Sequence, residues 1–177
     1  MGVLSYWIQS YSFPISICIQ LEQMCATFLW KDKMHAWSMS AMYKPKLGGG
    51  IGLRSVFDIN RAASIKRFWN CCTSTSVWAT WMQKHYCKNL SMWKLLSTLW
   101  THIWKDTANV RQIALWHRHQ EDSGIWVWTA SPNGQFSFFS AWNIVRSPSQ
   151  PFDLCNTVWF PSHSPKMACC LLRALND

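Results

Sequence analysis

Apolar residues recur every three to four positions along much of the chain, and this spacing predicts amphipathic helices. The first helix is predicted over Pro14–Trp30, where Pro14 suits the first turn and the apolar positions that follow are Ile17, Leu21, Met24 and Phe28. Asp58–Cys72 has a wide apolar face, and its basic residues fall largely outside that face. Two tryptophan-rich helices are predicted over Ser76–Tyr86 and Ser91–Trp104.

A glycine-rich loop is predicted between the first two helices. Trp37–Tyr43 roughly alternates between apolar and polar residues and is predicted to be a strand. The run Gly48–Gly52 then predicts a turn or a bulged loop, because glycine tolerates left-handed backbone angles. Two interpretations stay open: the glycines form a structural bend, or Lys44, Lys46 and Arg54 beside them contact a nucleic-acid backbone. The run lacks the ending of a phosphate-binding P-loop.

The period of the apolar positions changes after Gly124. Ile125–Thr129 and Gln135–Phe139 flank a turn that contains Asn133-Gly134, a pair typical of β-hairpins. The sequence therefore predicts a β-hairpin here, followed by a short helix that Ser140 caps.

These elements predict a fold that is mainly α with a small β-hairpin, an α+β arrangement in two loosely coupled parts. A helical region is expected at residues 1–108, a linker at 109–124, and a partial, truncated second domain at 125–177. We expect many of the 14 tryptophans to lie at element junctions or interfaces, because the indole N–H needs a partner.

Charge adds a candidate partner. The chain has 17 basic and 8 acidic residues, a formal net charge of +9, which favours a polyanionic partner such as RNA or DNA. The Lys and Arg residues are scattered rather than clustered, so a basic protein without a nucleic-acid ligand remains the other interpretation.

The sequence predicts no catalytic residue, no metal ligand and no cofactor. Polymerases and nucleases that use two metal ions need clustered carboxylates, and the Asp residues here are widely spaced. His85-x-Cys87 and His117-x-His119 lack the spacing of a structural zinc site. For the adjacent pairs Cys71-Cys72 and Cys169-Cys170, buried free thiols are the more common explanation than metal ligation.

Several phrases in order along the chain resemble one family, the plant LINE-type (non-LTR) retrotransposon reverse transcriptases. They match the helix that follows the polymerase palm, a Pro-Lys-glycine block and its sequel, and the opening of the zinc-binding reverse transcriptase domain. The matching residues are Phe13-Pro14-Ile15-Ser16, Phe28-Leu29-Trp30, Lys44 to Arg54, Asn60, Ala62, Lys66, Trp69, Val77-Trp78, Trp81, Ser91-Met92-Trp93, Asn133 to Ser137, Ser140-Ala141-Trp142, Val158-Trp159 and Pro165-Lys166.

The resemblance implies a thumb and connector region that runs into the start of the zinc-binding domain, truncated at both ends. In the family, the polymerase aspartates lie before the matched region and the zinc ligands lie after it. The implied protein is therefore not an enzyme but a fragment with residual backbone-charge binding to RNA or DNA. Its expected phosphate contacts are Lys44, Lys46, Arg54, Arg61, Lys66 and Arg67.

The alternative hypothesis is a host-recruited factor, regulatory or toxic, that binds a protein through exposed tryptophans. Its expected contact residues are Trp78, Trp81 and Trp93. The opening segment makes a poor signal peptide, and no stretch is long and apolar enough for a membrane span. We therefore expect an intracellular protein, nuclear or cytoplasmic.

Overall fold

The chain forms two compact units, each assembled from segments that are far apart in sequence. In the computed structural model, residues 6–8, 10–30, 38–87, 93, 110–146, 148–160 and 164–176 are described. The first unit comprises Met1–Pro14 and Phe57–Arg146, and the second comprises Ile15–Val56 and Ser147–Asp177.

The described residues are mainly helical, with one small sheet, which confirms the predicted fold class. Residues 6–8 and 10 are helical, and a 3-10 turn lies at Lys46–Gly48. The other elements are α1 (Ile15–Trp30), α2 (Met39–Tyr43), α3 (Val56–Thr73), α4 (Val77–Cys87), α5 (residues 110–116), β1 (Arg118–Gln120), β2 (Trp126–Trp128), α6 (Phe138–Val145), α7 (Cys155–Val158) and α8 (Pro165–Asn176).

The helix predictions for α1, α3 and α4 are confirmed, with bounds that differ by one or two residues at most. The helix predicted over Ser91–Trp104 lies outside the described residues except for Trp93. In α1 the helix is correct, yet two of its predicted apolar positions are strongly exposed: Met24 is 68% exposed and Phe28 is 81% exposed.

The strand predicted over Trp37–Tyr43 is wrong, because Met39–Tyr43 forms the short helix α2. The Ser38 side chain caps this helix and accepts a hydrogen bond from the Ala41 amide at 3.3 Å. Methionine and alanine also favour helix over strand. Local capping therefore outweighs a short and imperfect alternation.

A hairpin is present, but its strands are not the predicted pair. β2 pairs with the upstream β1 in antiparallel register, with Arg118 opposite Trp128 and Gln120 opposite Trp126. Gly124, with a φ of 81°, lies in the connection between the strands. Asn133-Gly134 does form a turn, in which the Gly134 amide donates to the Ser131 carbonyl at 3.0 Å. That turn leads into a helix rather than a second strand.

The helix after this turn begins one turn earlier than the sequence analysis predicted. The cap of α6 is Ser137, whose hydroxyl accepts a hydrogen bond from the Ser140 amide at 3.0 Å. Ser140, the predicted cap, instead accepts a hydrogen bond from the indole N–H of Trp128 at 2.9 Å. An N-cap serine at this position stops Gln135–Phe139 from continuing as a strand.

Aromatic rings form the core of the first unit. Trp69 of α3 packs edge-on against Trp128 with ring centroids 5.0 Å apart, and against Trp93 at 5.8 Å. Phe136 stacks on Trp69 at 5.7 Å and meets Trp128 at 4.9 Å. Such ring pairs stabilise a core beyond the area that they bury. The hairpin is thus held against α3 through its tryptophans.

The residues predicted to form a linker at 109–124 contain α5 and β1 instead. Val110 is 2% exposed and Ala114 is fully buried, and both belong to the aromatic core. Apolar side chains four residues apart on one helical face explain this burial. The predicted assignment of residues 1–108 and 125–177 to two family regions stays a prediction, but neither compact unit follows that division.

Candidate nucleic-acid interface

The glycine loop of the second unit is closed at its base by backbone hydrogen bonds. The Gly52 amide donates to the Lys44 carbonyl at 2.9 Å, and the Leu53 amide donates to the Met42 carbonyl at 3.1 Å. These bonds bring the chain back beside its starting point, so Lys44 lies close to the residues next to Arg54. Gly49 and Gly52 have φ values of 74° and 79°, which favour glycine.

The same loop is packed tightly, which supports the structural interpretation of its glycines. A Cβ atom added to Gly50 would lie 2.2 Å from the Lys44 carbonyl oxygen, and one added to Gly48 would lie 2.1 Å from the Ser149 hydroxyl oxygen. The Phe152 amide donates to the Leu47 carbonyl at 2.8 Å. The predicted turn is confirmed, and close approach of two chain segments explains why it needs glycine.

Three of the six predicted phosphate contacts lie at this loop. Lys44, Lys46 and Arg54 are all exposed. The ammonium group of Lys46 lies 4.4 Å from the ring centroid of Trp159, a cation–π contact within the second unit. Lys44 and Arg54 therefore occupy the closed base of the loop, while Lys46 also holds the loop against residues near the C-terminal helix.

The other three predicted contacts lie on α3 in the first unit. Arg61 is exposed and Lys66 is half-buried. Arg67 is only 8% exposed, and its guanidinium donates to the Ile8 carbonyl at 2.6 Å and to the Ser64 hydroxyl at 2.7 Å. A buried guanidinium bonded in this way is a structural group. We therefore propose no phosphate contact for Arg67.

Two of the three predicted protein-contact tryptophans are exposed. Trp78 is 45% exposed and Trp81 is 52% exposed, both on α4. Trp93 is 6% exposed and belongs to the aromatic core, where it meets Phe68 edge-on at 5.4 Å. Its carbonyl accepts two hydrogen bonds from the Arg111 guanidinium, at 2.6 and 3.1 Å. Of the three tryptophans predicted to contact a protein, Trp78 and Trp81 are therefore the two that are accessible.

Sequence reasoning missed the polar side chains that lie beside the exposed tryptophans of α4. Lys84 and His85 are exposed at the end of α4, and the His85 ring lies parallel to the Trp81 ring at 5.0 Å. The signal was available, because residues 81 and 85 are four apart and share one face of the predicted helix. The Arg118 guanidinium lies over the buried Trp93 ring at 4.6 Å and the half-buried Trp126 ring at 4.9 Å, a cation–π arrangement that joins distant segments.

The cysteines form no metal centre among the described residues. No group of three or more His, Cys, Asp or Glu side chains in those residues could hold a metal ion. Cys71 is buried and Cys72 half-buried, whereas Cys169 is half-buried and Cys170 exposed. Burial raises the pKa of the Cys169 thiol, and its neighbour Cys170 adds to the effect.

No helix in the described ranges is long and apolar enough to cross a membrane.

Comparisons with known proteins give one partial similarity. No protein-family model matches the chain, and no solved structure matches it. Over 104 residues the chain is 33% identical to an Arabidopsis thaliana protein that carries the name "Putative ribonuclease H protein". The match covers 54% of this chain and 17% of that protein. The chain thus spans less than a fifth of the relative's length, and this similarity alone does not identify the LINE-type family.

Proposed function

We propose that this chain is a non-catalytic fragment derived from a plant LINE-type reverse transcriptase, with residual binding to RNA or DNA through backbone charge. The partial similarity to an Arabidopsis protein named for ribonuclease H, a nucleic-acid enzyme, fits a retrotransposon-related origin. The finer assignment to the LINE-type family rests on the collinear motifs in the sequence. The proposal that it is inert rests on the missing clusters of carboxylates.

The observation that carries the binding proposal is the pairing of a large positive charge with exposed cations at a closed loop. Lys44 and Arg54 lie at the base that the backbone bonds of the glycine loop draw together. Cations held at a rigid base contact phosphates without losing further backbone entropy. Arg61 is a third exposed candidate, on α3.

The salt dependence of binding tests this proposal. The purified chain is titrated with RNA and with DNA by filter binding at low and high salt. Each phosphate contact steepens the fall of log K with log salt by about 0.7 on single strands and about 0.9 on B-form DNA. The Lys44→Ala/Arg54→Ala variant should therefore lower the slope by roughly 1.4 on single strands.

A charge-matched control separates a local contact from the general field of the protein. Removing one exposed cation elsewhere, in Arg173→Ala on α8, lowers the net charge by one and should change the slope by much less than Lys44→Ala does. Undetectable or salt-independent binding by the wild-type chain would refute the proposal.

The protein-binding alternative now depends on Trp78 and Trp81, since Trp93 is buried. Exposed apolar rings are compatible with a protein partner. The Lys84 ammonium group next to these rings favours a nucleic-acid partner for the same face.

A further inference from the structure

The exposed face of α4 combines aromatic rings with positive charge. We propose that Trp78, Trp81 and His85, with Lys84 beside them, form a stacking platform for single-stranded nucleic acid. This proposal rests on the proposed nucleic-acid function and adds a second site with a different mode of recognition. The occupant is a single strand, because the faces of its bases are open and those of a duplex are hidden.

The first support is the placement of the rings on one face of a firmly anchored helix. Residues 78, 81 and 85 are three and four apart, so their side chains project from the same side of α4. The helix is anchored through other positions. Ala79 is fully buried and Met82 is 3% exposed, and the Gln83 side chain donates to the Cys71 carbonyl of α3 at 2.7 Å. The helix that carries the rings is therefore held in place before any ligand binds.

The second support is the geometry of the rings. The His85 ring is nearly parallel to that of Trp81, with an interplanar angle of 7° and centroids 5.0 Å apart. The two rings are stacked, so the His85 ring lies against one face of the Trp81 indole and fixes its orientation, while the indole stays 52% exposed. Trp78 lies one turn earlier, about 4.5 Å along the helix axis from Trp81. Because base–aromatic stacking tolerates any base, neighbouring bases of a single strand can contact these neighbouring rings.

The third support is charge complementarity. Val77–Cys87 contains no acidic residue, and the Lys84 ammonium group is exposed one helical turn from Trp81. A cation next to an exposed ring matches a nucleotide, which presents a base to the ring and a phosphate to the ammonium group. An apolar protein surface would gain nothing from Lys84 and would have to desolvate it.

The test compares one single-stranded RNA with its own duplex for a pair of matched variants. Trp78→Leu/Trp81→Leu keeps most of the apolar area but removes the rings, whereas Trp78→Phe/Trp81→Phe keeps rings. We expect the leucine variant to lose about tenfold or more in single-strand affinity and less than about twofold in duplex affinity. The phenylalanine variant should retain most of the single-strand affinity. Trp116→Leu is the control, since Trp116 is 71% exposed but lies on α5.

The outcomes separate this proposal from the proposed function. The platform is wrong if the leucine variant binds the single strand as the wild type does, which is the result that a protein partner on this face predicts. It is also wrong if the leucine variant loses single-strand and duplex affinity equally. If Lys44→Ala/Arg54→Ala leaves every affinity unchanged while the leucine variant loses only single-strand binding, the loop proposal fails and the platform stands.

Ultraviolet cross-linking of the wild-type chain gives a measurement that needs no variant to fold. The platform predicts cross-links at Trp78 or Trp81 with the single strand and none there with the duplex. Cross-links only at other residues would overturn it.

Discussion

The buried guanidinium of Arg67 provides the sharpest stability prediction. It donates to the Ile8 carbonyl at 2.6 Å, to the Ser12 hydroxyl at 2.5 Å and to the Ser64 hydroxyl at 2.7 Å. In Arg67→Met, a side chain of similar length replaces the charge and these bonds are lost. The guanidinium thus ties the first residues of the chain to α3, and we expect its loss to loosen them.

The size of the effect follows from which acceptors are left without a donor. Ser12 and Ser64 still bond to each other at 2.9 Å, and Ser64 still donates to the Asn60 carbonyl at 3.1 Å. The Ile8 carbonyl loses its Arg67 donor, a loss that costs about 1–3 kcal/mol when an acceptor is buried. Removing the cost of burying a charge offsets part of the lost bonds. We expect a net loss of about 1–3 kcal/mol in the free energy of unfolding.

Thermal unfolding followed by circular dichroism measures this loss. For a chain of this size, each kcal/mol lowers Tm by about 2–4 °C, so Arg67→Met should unfold about 2–12 °C below the wild type. Arg61→Met, an exposed position on the same helix, is the matched control and should change stability by no more than about 0.5 kcal/mol. Equal Tm values for the two variants would refute the reasoning.

Hydrogen exchange locates the effect. Asn60 makes two hydrogen bonds to the backbone of Phe13. Its side-chain oxygen accepts from the Phe13 amide at 3.0 Å, and its side-chain amide donates to the Phe13 carbonyl at 2.9 Å. Arg67→Met should therefore increase exchange most in residues 6–8 and leave the Phe13 amide partly protected. Uniform loss of protection along the first unit would show that Arg67 supports the whole core instead.

Three further predictions concern the second unit. Gly50→Ala should destabilise the chain in urea by more than Gly124→Ala, because its Cβ would lie 2.2 Å from a backbone oxygen. At Gly124 the added Cβ meets nothing within 4 Å, and only the positive φ of 81° opposes a side chain. Equal losses would contradict this. Lys46→Ala should lower the free energy of unfolding by about 0.5–1 kcal/mol, because its contact with Trp159 is lost. It should change the salt dependence of nucleic-acid binding less than Lys44→Ala does. A larger change for Lys46→Ala than for Lys44→Ala would contradict this. Since burial raises the pKa of the Cys169 thiol, we expect its alkylation, followed by mass spectrometry, to remain slow near pH 8.5. The contribution of this thiol to stability should be lost as the pH rises through its raised pKa. Alkylation at the rate of an ordinary exposed thiol would exclude this.

The parts of the fold that the sequence predicts are those with strong local signals. The helical period and Pro14 suffice for α1, and the wide apolar face suffices for α3. The exposed face of α1 was not predictable, because a periodic stripe indicates an amphipathic helix without showing what covers it. Phe28, a regular member of that stripe, is 81% exposed.

Long-range partners explain the remaining differences. Arg67 falls largely outside the apolar set of its helix, and only acceptors from residues 8 and 12 bury it. β1 consists of Arg118-His119-Gln120, so it offers no alternating apolar residues that would mark it as a strand. For the candidate site, helix spacing predicts that Trp78 and Trp81 share one face of α4, but not that this face is exposed. The burial of Trp93 depends on rings from α3 and β2.

The assembly of the second unit from two distant segments also sets the order in which the chain can fold during synthesis. The Cys155 thiol reaches the Lys46 carbonyl across 109 residues of sequence. At ordinary translation rates of about 5–20 residues per second, the segment that packs against the glycine loop is synthesised roughly 5–20 s after the loop itself. During that interval its apolar neighbours are available to chaperones and proteases. Ribosome stalling before residue 148 would therefore yield a nascent chain that lacks the partner segment of its loop.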